Sequence, residues 1–316
     1  MWADFVEVAF ARMVSRFGAA EVKRWNIMAW NEIDDHDTDG LIMTPQGYCN
    51  YYDATQEGLM RAGLEGQFGA PDDGGHLGPI AFRFFAHLVN GTSFFGGAPA
   101  MPSYIGAHNK GKDSGPGEHT ATIMQDSGRD ICQIRMSAHG LIGAGTTTTP
   151  GGKSIPWSND ESDPLVGWDQ KLDWRADARY PAMMAKVIAQ HHCAWMHPNA
   201  SSPACPGVTS ARNHSSADNG SELSVAGCAL IPGKTPVATG PAAFEGVPFG
   251  FLSFDGAFMN FGPDGFWDRR TFTTRFLMNH SVPAPGIETF RKLSLNVMTP
   301  LSKLGNRALQ VVRANP

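Results

Sequence analysis

Two carboxylates, Glu32 and Glu161, each stand just beyond an apolar run, in Trp30-Asn31-Glu32 and Ser158-Asn159-Asp160-Glu161. If those runs are parallel strands of a β/α barrel, their ends meet at the face that carries catalysis. Two carboxyl groups converging there are the minimum equipment for cleaving a glycosidic bond, one as proton donor and one as nucleophile or base. The competing reading is helix capping, since many strands end in Asp or Glu beside a helix N-terminus. On spacing alone the two readings stand level.

Other constellations carry less. Asp35-His36-Asp37-Thr38-Asp39-Gly40 opens like a calcium-binding EF-hand loop, but its twelfth position is Gln46 rather than a bidentate Glu. A solvated acidic loop is the plainer reading. His191, His192, Cys193 and His197 resemble a metal cluster, yet their spacing fits no zinc pattern. The sequence has no G-x-S-x-G elbow, P-loop or G-x-G-x-x-G turn. No metal or other cofactor is therefore expected.

Bringing Glu32 and Glu161 together requires strands and helices that alternate. Phe5, Val6, Ala9, Phe10, Met13, Val14 and Phe17 recur at helical spacing before Gly18. An apolar strand follows within 23–32, then a helix opened by Thr44 as cap and Pro45 at its first position. Further strands are expected at 66–70, 103–108, 155–160 and 249–254. Helices are expected at 79–89, 120–135 (interrupted by Gly128), 174–191 (despite Pro181) and 270–278. Such alternation means parallel strands with helical crossovers, an α/β layer or barrel. Two stretches resist it: 136–153, with its run Thr146–Thr149, and 196–248, dominated by Ser, Pro, Gly, Asn and Ala. Some 50 residues without structure are improbable inside a compact domain, so both are expected to be disordered insertions that do not pack on the core.

Composition excludes several classes. The 316 residues carry 25 Lys+Arg against 30 Asp+Glu, a net charge of −5 that argues against nucleic acid or an anionic membrane as partner. No apolar run approaches the ~20 residues of a membrane span. Five cysteines are too few for a disulfide scaffold, and their odd number leaves one unpaired. Five N-x-[ST] sequons, at Asn90, Asn199, Asn213, Asn219 and Asn279, lean toward a secretory route. The first residues, however, read as an amphipathic helix and not as a signal peptide.

Longer motifs settle the choice between capping and catalysis. Trp30-Asn31-Glu32 with the following acidic loop and Gly47-Tyr48-Cys49-Asn50-Tyr51-Tyr52-Asp53-Ala54 resembles glycoside hydrolase family 39. So do Tyr104-Ile105-Gly106-Ala107-His108-Asn109-Lys110-Gly111, Asn159-Asp160-Glu161-Ser162-Asp163-Pro164-Leu165-Val166-Gly167-Trp168 and Ser253-Phe254-Asp255-Gly256-Ala257-Phe258. The resemblance runs from residue 1 to about residue 315, in register except for the two odd stretches.

The resemblance implies a partial (β/α)₈ TIM barrel over 1–290, holding strands four to eight, with a long irregular insertion before the last strand. It implies that 291–316 begin a C-terminal β-sandwich region, and that strands one to three and a signal peptide precede residue 1. A chain cut in that way is expected to be inactive by itself. Glu32 becomes the general acid/base and Glu161 the nucleophile of a retaining glycosidase, with the charge of Glu161 raising the pKa of Glu32. Asn31 becomes a ligand of the sugar 2-hydroxyl. His108, Lys110, the Gly167 backbone, Asp255 and Arg270 (or Arg269 beside it) become a uronic-acid subsite, where a cation selects a uronate over a neutral hexose.

The implied substrate is a terminal α-L-iduronic acid of the glycosaminoglycans dermatan or heparan sulfate, in an acidic lysosome. Two rivals stay open: an inactive carbohydrate-binding relative, and a same-clan glycosidase acting on neutral sugars such as β-xylosides. Ile33 departs from the family's proline after the acid/base, which is expected to loosen the turn aiming Glu32.

Overall fold

Helix α1, Trp2–Phe17, ends where the sequence places a stop: Gly18 adopts φ 86° and its N–H donates to the Val14 carbonyl. The structure, a computed structural model, describes residues 1–34, 42–66, 68–75, 77–112, 120–138, 140–143, 149, 152–165, 178–196, 241–252 and 254. It also describes the strand segments 223–225, 228–230, 237–238, 273–278 and 287–291.

After α1 and the short α2 (Ala19–Val22), strands and helices alternate: β1 Ile27–Met28, α3 Pro45–Arg61, β2 Phe68–Gly69, β3 Asp72–Asp73, α4 Pro79–Asn90, β4 Ile105–Ala107, α5 Ala121–Ser137, β5 Trp157–Asn159 and α6 Arg179–Met196. β6 Leu223–Val225, β7 Cys228–Leu230, β8 Val237–Ala238, a 3₁₀ turn Pro241–Phe244, β9 Phe249–Leu252, β10 Thr273–Met278 and β11 Ile287–Arg291 follow. β1 pairs parallel with β2, and β3, β4, β5 and β9 form a parallel sheet in that order. β2 and β3 flank Ala70-Pro71, but Ala70 N–H donates to Tyr104 O and Gly106 N–H to Pro71 O, so the pair acts as one strand. The described residues therefore lay out five successive parallel strands with helical crossovers, part of a (β/α)₈ barrel, as the pattern predicts.

Local chemistry explains the elements. Thr44 Oγ1 accepts from the Gly47 N–H at 3.0 Å, and Pro45 fills the first helical position of α3, where a missing N–H costs nothing. The inner face of α3 buries Tyr48, Tyr52 and Leu59 against Phe68 and Phe84. Tyr52 meets Phe84 edge-on at 4.7 Å between ring centroids. α1 lies against α3 at Gly58, where an added Cβ would stand 2.5 Å from the Ala3 carbonyl oxygen and 2.7 Å from Val6 Cβ.

Four expectations need correction. α6 begins at Arg179, not 174, which puts Pro181 in its first turn, where its lost N–H has no helical partner anyway; residues 174–177 lie outside the described residues. Residues 273–278 form a strand antiparallel to β11 and not a helix, in keeping with the β-favouring Thr273, Thr274 and Phe276 in this stretch. Gly128 does not interrupt α5.

The disorder expected of the two odd stretches also fails wherever they are described. β6, β7 and β8 form an antiparallel sheet, and Cys228 of β7 is disulfide-bonded to Cys132 of α5, both fully buried. Arg135 donates to the Glu245 carbonyl, while Phe244 and Val247 join the main core. Leu141 and Ile142 are buried too. A cross-link and a buried arginine supply the anchorage that composition did not suggest. Cys193 is also disulfide-bonded, and Cys49 is the free cysteine among the described residues.

Gly58→Ala should force α1 off α3, because the space is closed by the Ala3 carbonyl oxygen and the stiff, β-branched Val6 side chain. A loss of about 1–3 kcal/mol in chemical denaturation is expected, and an unchanged midpoint would contradict the packing.

Candidate active site

Glu32 lies four residues beyond β1 in a turn with two left-handed residues, Trp30 at φ 66° and Glu32 itself at φ 50°. Such positions cost of order 1–3 kcal/mol for residues other than glycine, and persist only when neighbours over-determine them. Here the neighbours do. Ile33 is fully buried and its N–H donates to the Asp72 carbonyl at 3.0 Å. Asp34 then caps α4, accepting from the N–H groups of Ile80 and Ala81 at 2.9 Å each. The departure at Ile33 thus does not loosen the turn: it supplies a hydrogen bond that a proline could not make.

His108 and Lys110 follow β4, and Glu161 follows β5. Asn159, the last residue of β5, joins the two loops: its Oδ1 accepts from Asn109 N–H and its Nδ2 donates to the Asn109 carbonyl, both at 3.0 Å. Gly111 N–H donates to Asp163 O at 2.8 Å, and the Tyr180 hydroxyl of α6 donates to Asp163 Oδ1 at 2.7 Å. Behind Asn159 stands His191, whose Nδ1 is 2.8 Å from Val187 O and whose Nε2 faces Asn159 Nδ2 at 3.4 Å. That geometry puts the His191 proton on Nδ1 and leaves Nε2 as acceptor.

Four residues singled out by sequence meet in one place. His108 Nδ1 donates to Glu32 Oε1 at 2.8 Å and lies 3.4 Å from Glu161 Oε2. Lys110 Nζ is ion-paired with Glu161 Oε2 and lies 3.8 Å from Glu32 Oε1. One carboxylate oxygen of Glu32 and one of Glu161 lie within 4.8 Å of each other. Asn31, beside Glu32, is exposed. Gly167, Asp255, Arg270 and Arg269 lie outside the described residues, as does the Asp35–Gly40 loop.

Charge sets the protonation. The hydrogen bond from His108 outweighs burial and, with the charges of His108 and Lys110, holds the Glu32 carboxyl below its ordinary value. This corrects the expectation that Glu161 would raise it: two cations stand closer to the balance than one neighbouring anion. Burial opposes the charge on His108, yet Asp72, Glu32 and Glu161 hold its pKa well above the ordinary histidine value. Lys110 likewise stays charged against burial because Glu161 and Glu32 face it.

Two further acids complete the cluster. Asp72 and Asp160 approach His108 Nε2 at 3.1 and 3.8 Å. Sequence reading left them without a role, although Asp72 obeys the rule that selected Glu32, a carboxylate at the end of an apolar strand.

Parallel strands with helical crossovers, gathering acids and cations at the strand ends, define the glycoside hydrolase class of barrel. Residues 1–221 match the family Glycosyl hydrolases family 39, and the chain belongs to it. Over 312 residues it is 33% identical to the alpha-L-iduronidase of Canis lupus familiaris and 33% to that of Homo sapiens, covering 98% of this chain and 38% of each relative. It is also similar to a solved structure of the bacterial orthologue of human α-L-iduronidase, at 25% identity and TM-score 0.63, over 96% of this chain and 41% of that one. The chain therefore spans less than half the length of these relatives.

Burial pushes the His191 pKa down to about 4 from an ordinary 6.5. Between those values the unfolded chain binds a proton that the folded one excludes, so the His191 contribution to stability falls as pH drops from 6.5 to 4, by at most about 3 kcal/mol. Thermal melts of the unmutated protein and of His191→Gln should converge across this window as that contribution is lost; an equal slope in both proteins would contradict the assignment.

Proposed function

We propose that the chain carries the catalytic carboxylates of a retaining glycosidase that removes a terminal α-L-iduronic acid from glycosaminoglycans such as dermatan and heparan sulfate. The observation that carries this reading is the approach of Glu32 and Glu161 within 4.8 Å. Retaining enzymes keep their carboxyls about 5–5.5 Å apart, whereas inverting enzymes leave about 6.5–9.5 Å for a water. The names of the relatives supply the sugar, and family membership supplies the reaction class.

In the proposed cycle, protonated Glu32 donates its proton to the glycosidic oxygen as that bond breaks, and Glu161 attacks the anomeric carbon. The resulting glycosyl ester removes the negative charge of Glu161. Lys110, ion-paired with that carboxylate in the empty site, is then freed toward the −1 carboxylate of the sugar. Loss of the same charge favours the ionised form of Glu32, which deprotonates the water that cleaves the ester. Asn31 would hold the 2-hydroxyl, and His108, Gly167, Asp255 and Arg270 the rest of the sugar.

The same charges support an acidic, lysosomal setting, because a carboxyl held low by two cations is protonated only in acid. The commitment of Lys110 to Glu161 favours one rival, a glycosidase of neutral sugars. Turnover of a fluorogenic iduronide against a xyloside by the full-length protein decides between them, and turnover of neither points to a binding relative.

Glu161→Ala should lower turnover at least about a thousandfold, while Glu32→Ala should spare substrates whose leaving groups need little protonation. A 5-fluoro iduronide should label Glu161, and the released sugar should keep its anomeric configuration. Label on another residue, or inversion, would sink the assignment.

His108→Gln removes the largest influence lowering Glu32, so the alkaline limb of kcat/KM should move to higher pH. A limb that stays in place would show that His108 does not set the acid.

A further inference from the structure

Behind the two reacting carboxylates lies a second pair. Asp72 opens β3 and Asp160 follows β5, and both reach the Nε2 edge of His108, at 3.1 and 3.8 Å. One atom from each of Asp72, His108 and Asp160 lies within 4.8 Å of the other two. Their side chains are 6%, 2% and 16% exposed, so water screens little of the repulsion between the acids. The opposite edge of the ring, Nδ1, faces Glu32 at 2.8 Å and Glu161 at 3.4 Å.

A neutral imidazole would turn a lone pair toward one of these two carboxyl pairs; only the imidazolium offers a proton to both. Among the described residues, Lys110 is the other cation at the cluster. Four ionised carboxylates against these two cations would leave two uncompensated negative charges in a nearly closed space. Acids this close do not both ionise.

We propose that Asp72 and Asp160 share one proton and act as a positioning pair, holding His108 as an imidazolium aimed at Glu32 and Glu161. The proposal deepens the glycosidase reading and rests on it only for its catalytic consequence. Burial and the adjacent Asp72 push the Asp160 carboxyl up to about 8. The phenols that face them, Tyr48 of α3 and Tyr104 before β4, are raised by burial and stay neutral. Gly106 keeps the space open: a Cβ there would lie 2.2 Å from Met28 Cε and 3.3 Å from Asp72 Oδ1.

The test is a pH titration of the ¹⁵N-histidine-labelled chain by long-range ¹H–¹⁵N NMR, with His108 assigned through His108→Gln. In the unmutated protein both ring nitrogens of His108 should stay protonated past neutral pH. Asp72→Asn or Asp160→Asn alone leaves one negative charge behind the ring, as the shared proton did. Each should therefore move the His108 midpoint by less than about half a pH unit. The double variant removes that charge and should lower the midpoint by more than about one pH unit.

Equal stepwise drops from the two single substitutions would mean two independent carboxylates and would overturn the proposal. A neutral His108 at pH 7 in the unmutated protein would overturn it without any variant, even if the variants fail to fold. The readout needs no turnover, so it stands or falls separately from the glycosidase reading.

Discussion

The site depends on one electrostatic constraint: acids brought to the ends of adjacent strands must be compensated where water cannot do it. His108 supplies most of that compensation. Its two ring nitrogens lie within 4 Å of carboxyl groups from the ends of β1, β3 and β5, and its own backbone N–H is tied to Asp73 O at 2.8 Å. Lys110, two residues on, adds a second charge from the same loop. Both cations therefore enter from the loop after β4, which lies between the strands that bear the acids. Without it the mutual repulsion of the acids would fall on the strand ends themselves.

Precision in that arrangement comes from the backbone. Glu32 holds an unfavourable φ, and the hydrogen bonds of Ile33 and Asp34 on its C-terminal side keep it there. Asp34 couples the turn to the start of α4, and an added Cβ at Gly78 would lie 2.4 Å from the Asp34 carboxyl carbon, so the cap has no slack. On the other side Asn159 holds the loops of Lys110 and Glu161 together with a reciprocal pair of bonds to Asn109. Glu32 and Glu161 are thus fixed by separate hydrogen-bond systems that meet at His108.

Much of this was legible in the sequence, for reasons that vary by residue. Gly18, Thr44 and Pro45 act through local chemistry and do what their types require. The alternation of elements and the convergence of Glu32 and Glu161 follow from hydrophobic spacing, whereas His108 and Lys110 are picked out by the family resemblance. What escaped depends on distant partners. The order in the described part of 223–252 rests on a disulfide to a residue 96 positions away, and on Arg135 reaching the Glu245 carbonyl. The strand at 273–278 is specified by its pairing with β11. The low pKa of Glu32 could not be read either, because it reflects a sum over His108, burial and Lys110 that only positions in space determine.

The same sum bears on how a uronate would be turned over. With Glu32 and Glu161 ionised and one proton on the aspartate pair, the cluster carries one more negative charge than its two cations compensate. A sugar carboxylate arriving beside Lys110, still paired with Glu161, would add another. The group best placed to relieve the excess is Glu32, which is partly exposed and whose conjugate acid is the form that cleavage needs. Its pKa is held below the ordinary value in the empty site, so on the proposed reading the proton would arrive with the substrate and pass to the leaving oxygen. A neutral sugar brings no such charge and leaves Glu32 ionised over most of the pH range. Selection for a uronate would then lie in the protonation of the acid as much as in the contact with Lys110, because the substrate charge itself arms the catalyst.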